Sequence, residues 1–394
     1  MRSALRRWSG YITWLPGFPI RRCLRARPTY VFSGALLAAT LLLSAGLANA
    51  QSRYSLYPIR PFFSPSGMND LGQLVGTTFN DQPQGAVWTF GADPAFSMVG
   101  APYDVVSDIN DSGQMAGTRR LSATITHAAV FSPDGAVRDL GTLGGRTSSA
   151  QAINSRGEVA GTAATISGVQ HAFLYADGTM RDLGALKGGW SYGYDINDAG
   201  QVVGGATMAP AHDAPTHPFL YTEGSMIDLS RFAAEFGIAT SINNKGQVVG
   251  ATHIGTFPDR AFLYESGVWT DLGTLGGVAS YATSINDLGN IVGSSVLASG
   301  DASHGFLYTD GKMVDINTLL DLAEPGWTVH QAYLINASDQ IAGFACRPHP
   351  DQGNAFDCAS VLMSPIPEPA PVALWACAVT VGLAVQLRRR RVRE

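Results

Sequence analysis

From residue 51 to residue 363 the apolar residues fall in short alternating or β-branched runs, broken by turns rich in Asn, Asp and Gly. Apolar positions two apart line one face of a strand, and no long stretch of period 3.6 competes with them. One phrase recurs seven times: SGMNDLGQLVG from Ser66, SDINDSGQMAG from Ser107, QAINSRGEVAG from Gln151, YDINDAGQVVG from Tyr194, TSINNKGQVVG from Thr240, TSINDLGNIVG from Thr283 and LINASDQIAG from Leu334. Its asparagines (Asn69, Asn110, Asn154, Asn197, Asn243, Asn286 and Asn336) are separated by 41, 44, 43, 46, 43 and 50 residues.

A second phrase lies between the copies, as in HAFLYADGTMRDLGALKGG from His171 and RAFLYESGVWTDLGTLGG from Arg260. Each unit reads as four short strands, in one copy 172–175, 180–183, 192–196 and 201–204. Asp177-Gly178 turns the first pair, because glycine accepts the positive φ of a tight hairpin. Asn197-Asp198-Ala199-Gly200 turns the second, with asparagine capping and glycine in the left-handed position.

Four strands in about 45 residues is the periodicity of a propeller blade. The expectation is an all-β, seven-bladed β-propeller over 51–363, with a β-solenoid or split sandwich as the alternative. The start at 54–59 lacks a preceding HAF strand and the end at 354–363 supplies a lone HAF-like strand, so their pairing would close the ring and remove exposed edges.

Two segments flank this body. Residues 1–50 hold Arg2, Arg6, Arg7, Arg21, Arg22, Arg25 and Arg27, then an apolar run at 31–47 and the small-residue site Ala48-Asn49-Ala50. This reads as a signal peptide cleaved after Ala50; an uncleaved transmembrane helix is the alternative. The basic stretch is long enough to allow a misassigned start codon. At the other end, 364–394, Pro367-Glu368-Pro369 precedes the apolar run 370–387, which just reaches membrane-spanning length, and then Arg388, Arg389, Arg390 and Arg391. The expectation there is a C-terminal transmembrane helix with its arginines on the cytoplasmic side.

That tail resembles the PEP-CTERM sorting signal of exopolysaccharide-producing Gram-negative bacteria. The resemblance covers 364–393 and implies recognition by an exosortase-type membrane protease and only a transient hold on the inner membrane. The pattern HAFLY…DG…DLGTLGG…IN-x-x-G-x-V-x-G over 66–363 is similar to the HAF family of extracellular repeats. That resemblance implies an exported or cell-surface protein and no established activity. The departures are Asp339 for the turn glycine, Arg260 for histidine, and degenerate DLG segments after Leu229 and Ile316.

Composition narrows the partners. Of 26 basic residues, twelve lie in the flanking segments, leaving 14; of 31 acids, Glu368 and Glu394 lie there, leaving 29. The body is therefore near -15, although the whole chain is only -5. An acidic body with three lysines in all (Lys187, Lys245 and Lys312) argues against nucleic acid. Only 14% of residues are charged, and 45 glycines accompany the turns.

No motif compels catalysis. Gly189-Trp190-Ser191-Tyr192-Gly193 matches G-x-S-x-G but lies in a β-meander, not on a strand-to-helix turn. The Asp108–Gly113 segment starts like a calcium loop, yet its twelfth position is Arg119 where a glutamate is required. His127, His171, His217 and His304 fall one per unit, which suits local hydrogen bonds rather than a metal site. Cys346 and Cys358 would pair in an oxidising exterior, or else remain free thiols. No catalytic, metal or cofactor residue is assigned. The expected role is a non-enzymatic surface or extracellular-matrix binding module, with exopolysaccharide or another surface ligand as partner. The alternative is a secreted hydrolase or lyase acting on polysaccharide.

Overall fold

The computed structural model describes residues 53–366 apart from 60–62, 80–81, 92–95, 211–213, 231–234, 255–257, 301, 322–325 and 350–354. All of these belong to one compact unit, Ser52–Glu394. Ala48, Ala50, Pro367, Glu368, Pro369 and Arg388, Arg389, Arg390 and Arg391 lie outside the described residues.

Each repeat is a four-stranded antiparallel meander. In one, Ser191–Ile196 pairs with Val202–Thr207, which pairs with Thr216–Thr222, which pairs with Ser225–Asp228. The sheet therefore begins at the strand leading into the asparagine. The expected unit began at the HAF strand and is out of phase by two strands. The HAF strand follows the preceding strand through a short connection and pairs with it, whereas the DLG…GG segment, here with one 3-10 turn at Leu186–Gly188, crosses to the next sheet.

The expected seven separate four-stranded blades are corrected to six sheets. Five are four-stranded, and the repeats at 105–141 and 144–182 share one eight-stranded sheet. The cause is local. Thr147, in the strand Gly144–Ile153, pairs in parallel with Thr126 of the previous repeat, a pair that the equally long Gly276–Ile285 does not make. Arg146 reinforces the join by donating from Nη2 to Thr124 Oγ1 at 2.8 Å. Among the described residues no helix is long and apolar enough to cross a membrane, and the described helices are single 3-10 turns; the expected C-terminal transmembrane helix does not fall on them. Its residues, 370–387, lie outside the described ones.

The chain ends meet. Tyr54–Ile59 pairs antiparallel with Phe356–Pro365, register Tyr54↔Pro365 to Ile59↔Ser360, so the first strand completes the last sheet. Ile366 N–H donates to Arg53 O at 2.7 Å beyond that register. The expected pairing of start with end is present, although it completes the last repeat rather than the first. In the same sheet Cys346 sits opposite Cys358, and the two form a disulfide.

The core is layered between sheets rather than central. One cluster packs Ala152, Ala160 and Ala172 of one repeat against Val202, Ala206 and Phe219 of the next. The recurring phenylalanine and glycine of the two phrases are partners: Gly204 pairs with Phe219, and a β-bulge at Gly193/Asp195 pushes the first strand toward them. A Cβ on Gly204 would lie 1.9 Å from Tyr192 O and 2.9 Å from the Phe219 ring, so only glycine fits.

Candidate functional site

The seven asparagines do more than cap turns. Asn197 Oδ1 accepts from the N–H groups of Ala199 and Gln201, both at 3.1 Å, while Gly200 takes φ +73°. The same side chain donates from Nδ2 to Gln201 Oε1 at 2.7 Å and to the carbonyl of Asn243, in the next repeat, at 3.1 Å. Every repeat makes the second contact: Asn69 to Asn110, Asn110 to Asn154, Asn154 to Asn197, Asn243 to Asn286, Asn286 to Asn336, and Asn336 back to Asn69, at 2.9 to 3.3 Å. The ring closes on itself. That closure, with radiating antiparallel sheets, makes this a β-propeller. In the last turn Asp339 occupies the left-handed position at φ 56°, which aspartate tolerates, so the missing glycine does not break the ring.

The ring surrounds an axial funnel of about 250 Å³ with three tiers. Met68 and the isoleucine preceding each of the other six asparagines form an apolar tier; the asparagines form the second. The residues that follow the asparagines form the rim, among them Asp70, Asp111, Asp198 and Asp287. The rim is laced as well. Asp70 N–H donates to Asp111 Oδ1, Ala337 N–H to Asp70 Oδ1, Ser155 N–H to Asp198 Oδ1, and Asn244 N–H to Asp287 Oδ1, all at 2.8 to 3.0 Å. The lacing stops between Asp111 and Ser155, where the Ser155 hydroxyl donates to Asp198 instead, and between Asp287 and Ala337, whose side chain has no acceptor.

A further carboxylate lies deeper. Asp108, two residues before Asn110, lines the funnel and accepts from Ile153 N–H of the next repeat at 2.9 Å. Gly67 makes room for it, since a Cβ there would lie 2.5 Å from Asp108 Cα. Burial, aided by the charge of Asp195, pushes the Asp108 carboxyl up to about 7 against the pull of the Ile153 and Ile109 N–H groups. Asp195 holds the equivalent place two repeats on. It accepts from Ser241 Oγ and Ile242 N–H, both at 2.8 Å, and burial raises it to about 6 despite those bonds. Sequence reasoning met Asp108 and Asp111 only in a calcium-like segment that it set aside, and it missed Asp195 and the role of the rim acids. The signal for the rim was legible as the Asn-Asp pair in four of the seven phrases.

The other candidate residues fall away from the funnel and from one another. Ser191 of the G-x-S-x-G match is fully buried; its hydroxyl donates to Gly184 O and accepts from Ala172 N–H at 2.8 Å. Ser148 and Ser280 make the same bridge in their repeats, so this serine ties a first strand to the preceding crossover. Each recurring histidine pairs through Nδ1 with the aspartate of its own DL strand: His127 with Asp139, His171 with Asp182, His217 with Asp228 and His304 with Asp315, at 2.7 to 2.9 Å. Arg260 keeps the pattern by reaching Asp271. Ser230 Oγ also lies 2.9 Å from His217 Nδ1. In a catalytic triad the acid and the nucleophile engage opposite ring nitrogens, so this cluster lacks the geometry of nucleophilic attack. Among the described residues no group of three or more His, Cys, Asp or Glu side chains is placed to hold a metal ion.

No protein-family model and no curated protein matches the chain. Among solved structures it is similar to the β-propeller domain of the trilobed protease from Pyrococcus furiosus, at 9% identity and a TM-score of 0.49, covering 77% of this chain and 94% of that one. It is also similar to TolB from Acinetobacter baumannii, at 11% identity and a TM-score of 0.38 over 79% of this chain and 96% of that one. A gluconolactonase from Xanthomonas campestris is similar at 10% identity and a TM-score of 0.35, over 65% and 83% of the two chains. The propeller assignment rests on the sheet topology and the closed asparagine ring, not on these likenesses.

Proposed function

We propose that this chain is an exported, non-enzymatic surface or extracellular-matrix protein whose propeller serves as a rigid binding module. The observation that carries this reading is the closed asparagine ring, which fixes seven turns around one acid-rimmed funnel. Loops held on such a scaffold are where binding residues concentrate. The ligand is exopolysaccharide or another surface component. The serine and histidines that suggest a hydrolase support the non-enzymatic reading, because their hydrogen bonds serve the sheet connections.

The tail from Ser364 resembles a sorting signal, and the reading adds an exosortase-type protease that processes it during export. Tyr54–Ile59 pairs with Phe356–Pro365, so among the described residues only Ser364, Pro365 and Ile366 of the flanking segments take part in closing the propeller.

The test is two-sided. Replacing Pro367-Glu368-Pro369 by alanine in an exosortase-bearing host is expected to block tail processing and surface delivery; unchanged processing would overturn the sorting reading. A glycan array probed with the purified protein, followed by product analysis, is expected to give binding without cleavage. Released oligosaccharides would replace the binding module with the polysaccharide hydrolase or lyase.

A further inference from the structure

The two repeats that share one sheet also differ from the rest of the ring in charge. Residues 105–187 hold seven of the body's 14 basic residues and seven of its 29 acids. They are neutral as a group, and the rest of the ring carries the whole near -15. Their second strands, Met115–Arg120 and Val159–Thr165, run away from the asparagine turns. The hairpins that end those strands therefore lie at the foot of the propeller, opposite the funnel mouth.

Two aliphatic tips project there. Ile166 is 91% exposed and Leu121 44%. Arg119 and Arg120, both exposed, lead directly into Leu121, and Arg146 reaches the same loop through Thr124. None of these three arginines forms an ion pair among the described residues. The tips are fixed, because the strand Gly144–Ile153 is stitched to both hairpins: Thr147 pairs with Thr126, and the preceding Leu143 bridges to Thr165. Gln170 Nε2 also donates to Thr147 Oγ1 at 3.3 Å. Beside them Tyr103 takes φ 71°, a region that bulky residues avoid and that persists only where the surroundings impose it. Its N–H donates to Pro83 O at 2.7 Å, and the Arg120 guanidinium lies 4.6 Å over its ring.

Two features of this foot select a partner. Arginines without countercharges call for an anionic one, and phosphate suits the guanidinium fork. The apolar groups are convex aliphatic tips. A sugar ring stacks on an open aromatic face, whereas the Tyr103 ring is engaged by Arg120. Hydrocarbon, by contrast, admits a protruding isoleucine while basic side chains stay at the level of the headgroups. At the opposite face the exposed Leu71 and Leu288 share the surface with the rim acids, which an anionic layer repels.

We propose that the foot of the shared sheet docks on an anionic phospholipid surface, with Ile166 and Leu121 entering the acyl boundary and Arg119, Arg120 and Arg146 on the phosphates. The docking leaves the funnel mouth facing away from the lipid. It goes beyond the reading of the chain as a binding module and does not depend on it.

The test mixes the purified full-length protein with vesicles of phosphatidylcholine alone, or of equal parts phosphatidylcholine and phosphatidylglycerol. Hydrogen exchange then locates the contact, which separates the foot from any binding through the flanking segments. The mixed vesicles are expected to protect 119–125 and 165–169, less so as salt rises, and the phosphatidylcholine vesicles are not. Arg119→Gln with Arg120→Gln, and separately Ile166→Ser, should each raise the lipid concentration needed for that protection by about tenfold. If one variant fails to fold, the other still reads the site. Protection by both kinds of vesicle alike, by neither, or unchanged in both variants would overturn the proposal. So would stronger protection of the same hairpins by soluble polygalacturonate, which would make the partner an acidic polysaccharide. Protection that appears without lipid as protein concentration rises would assign the foot to a second copy of the chain instead. Export and glycan binding are read by separate assays, so each of these results removes the lipid docking alone.

Discussion

Replacing Asp108 by asparagine isolates the charge of one enclosed carboxylate. The side chain keeps its size and one acceptor oxygen for Ile153 N–H, and loses the ionised form and the second acceptor oxygen. Burial raises the folded carboxyl from its ordinary 3.8 to about 7, so the folded state binds the proton more tightly than the unfolded state does. Stability from this group is therefore fully present below about pH 4 and is lost as pH rises toward 7. At about 1.4 kcal/mol per unit the full shift amounts to roughly 4 kcal/mol, and solvent screening at the partly exposed Asp108 reduces it to about 2 kcal/mol. For a body of about 310 residues that is about 3 °C in Tm.

Thermal unfolding by calorimetry at pH 4.5 and pH 8 reads the effect as a difference of differences. A change in hydrogen bonding from the new amide shifts the variant equally at both values, and repulsion among the other acids, which grows with pH, is common to variant and parent and cancels in the difference. Only the ionised carboxylate makes the variant gain on the parent protein between them. The expected result is a variant whose Tm, relative to the parent, rises by about 3 °C from pH 4.5 to pH 8. An offset equal at the two pH values would refute the claim that Asp108 is held protonated by its surroundings.

Three further outcomes are expected. Ser191→Ala leaves the buried Ala172 N–H without its acceptor and should cost about 1 to 3 kcal/mol by denaturant unfolding, with no loss of any hydrolytic activity the protein shows. Asn197→Asp removes the donor to both Gln201 Oε1 and the Asn243 carbonyl, so the ring opens at one joint; a loss of about 2 kcal/mol is expected in the same assay. Cys346→Ser removes the bridge that pins the closing strand, and a loss of about 3 kcal/mol is expected, matched by adding a reductant to the parent protein.

Much of the fold was legible because its determinants are local. A turn written Asn-x-x-Gly needs only the asparagine side chain and a left-handed residue, and both are visible in seven phrases. The pairing of the chain's two ends was legible for a related reason, since a repeat missing one strand at its start and carrying one extra at its end has an obvious solution. The phase of the unit was not. Both the HAF-to-DL hairpin and the asparagine hairpin are short, and nothing in either says which of the longer connections leaves the sheet. The merging of two repeats into one sheet hinges on Thr147 lying beside Thr126, a matter of strand position that composition does not encode.

The site divides along the same line. That each asparagine caps its own turn follows from the sequence, but its Nδ2 reaches a carbonyl 41 to 50 residues on, or 267 residues back for Asn336, and only ring closure creates that acceptor. Asp108 reads along the chain as one more polar residue in a calcium-like loop; its significance comes from a neighbouring repeat that encloses it and from a glycine, Gly67, that makes the room. The sequence alone determined the repeat, its turns and the negative charge of the body, because those depend on residues within a few positions of one another. The funnel, its acidic rim and the wedging of Asp108 between neighbouring repeats were decided by tertiary structure, because they exist only where distant turns meet on one axis.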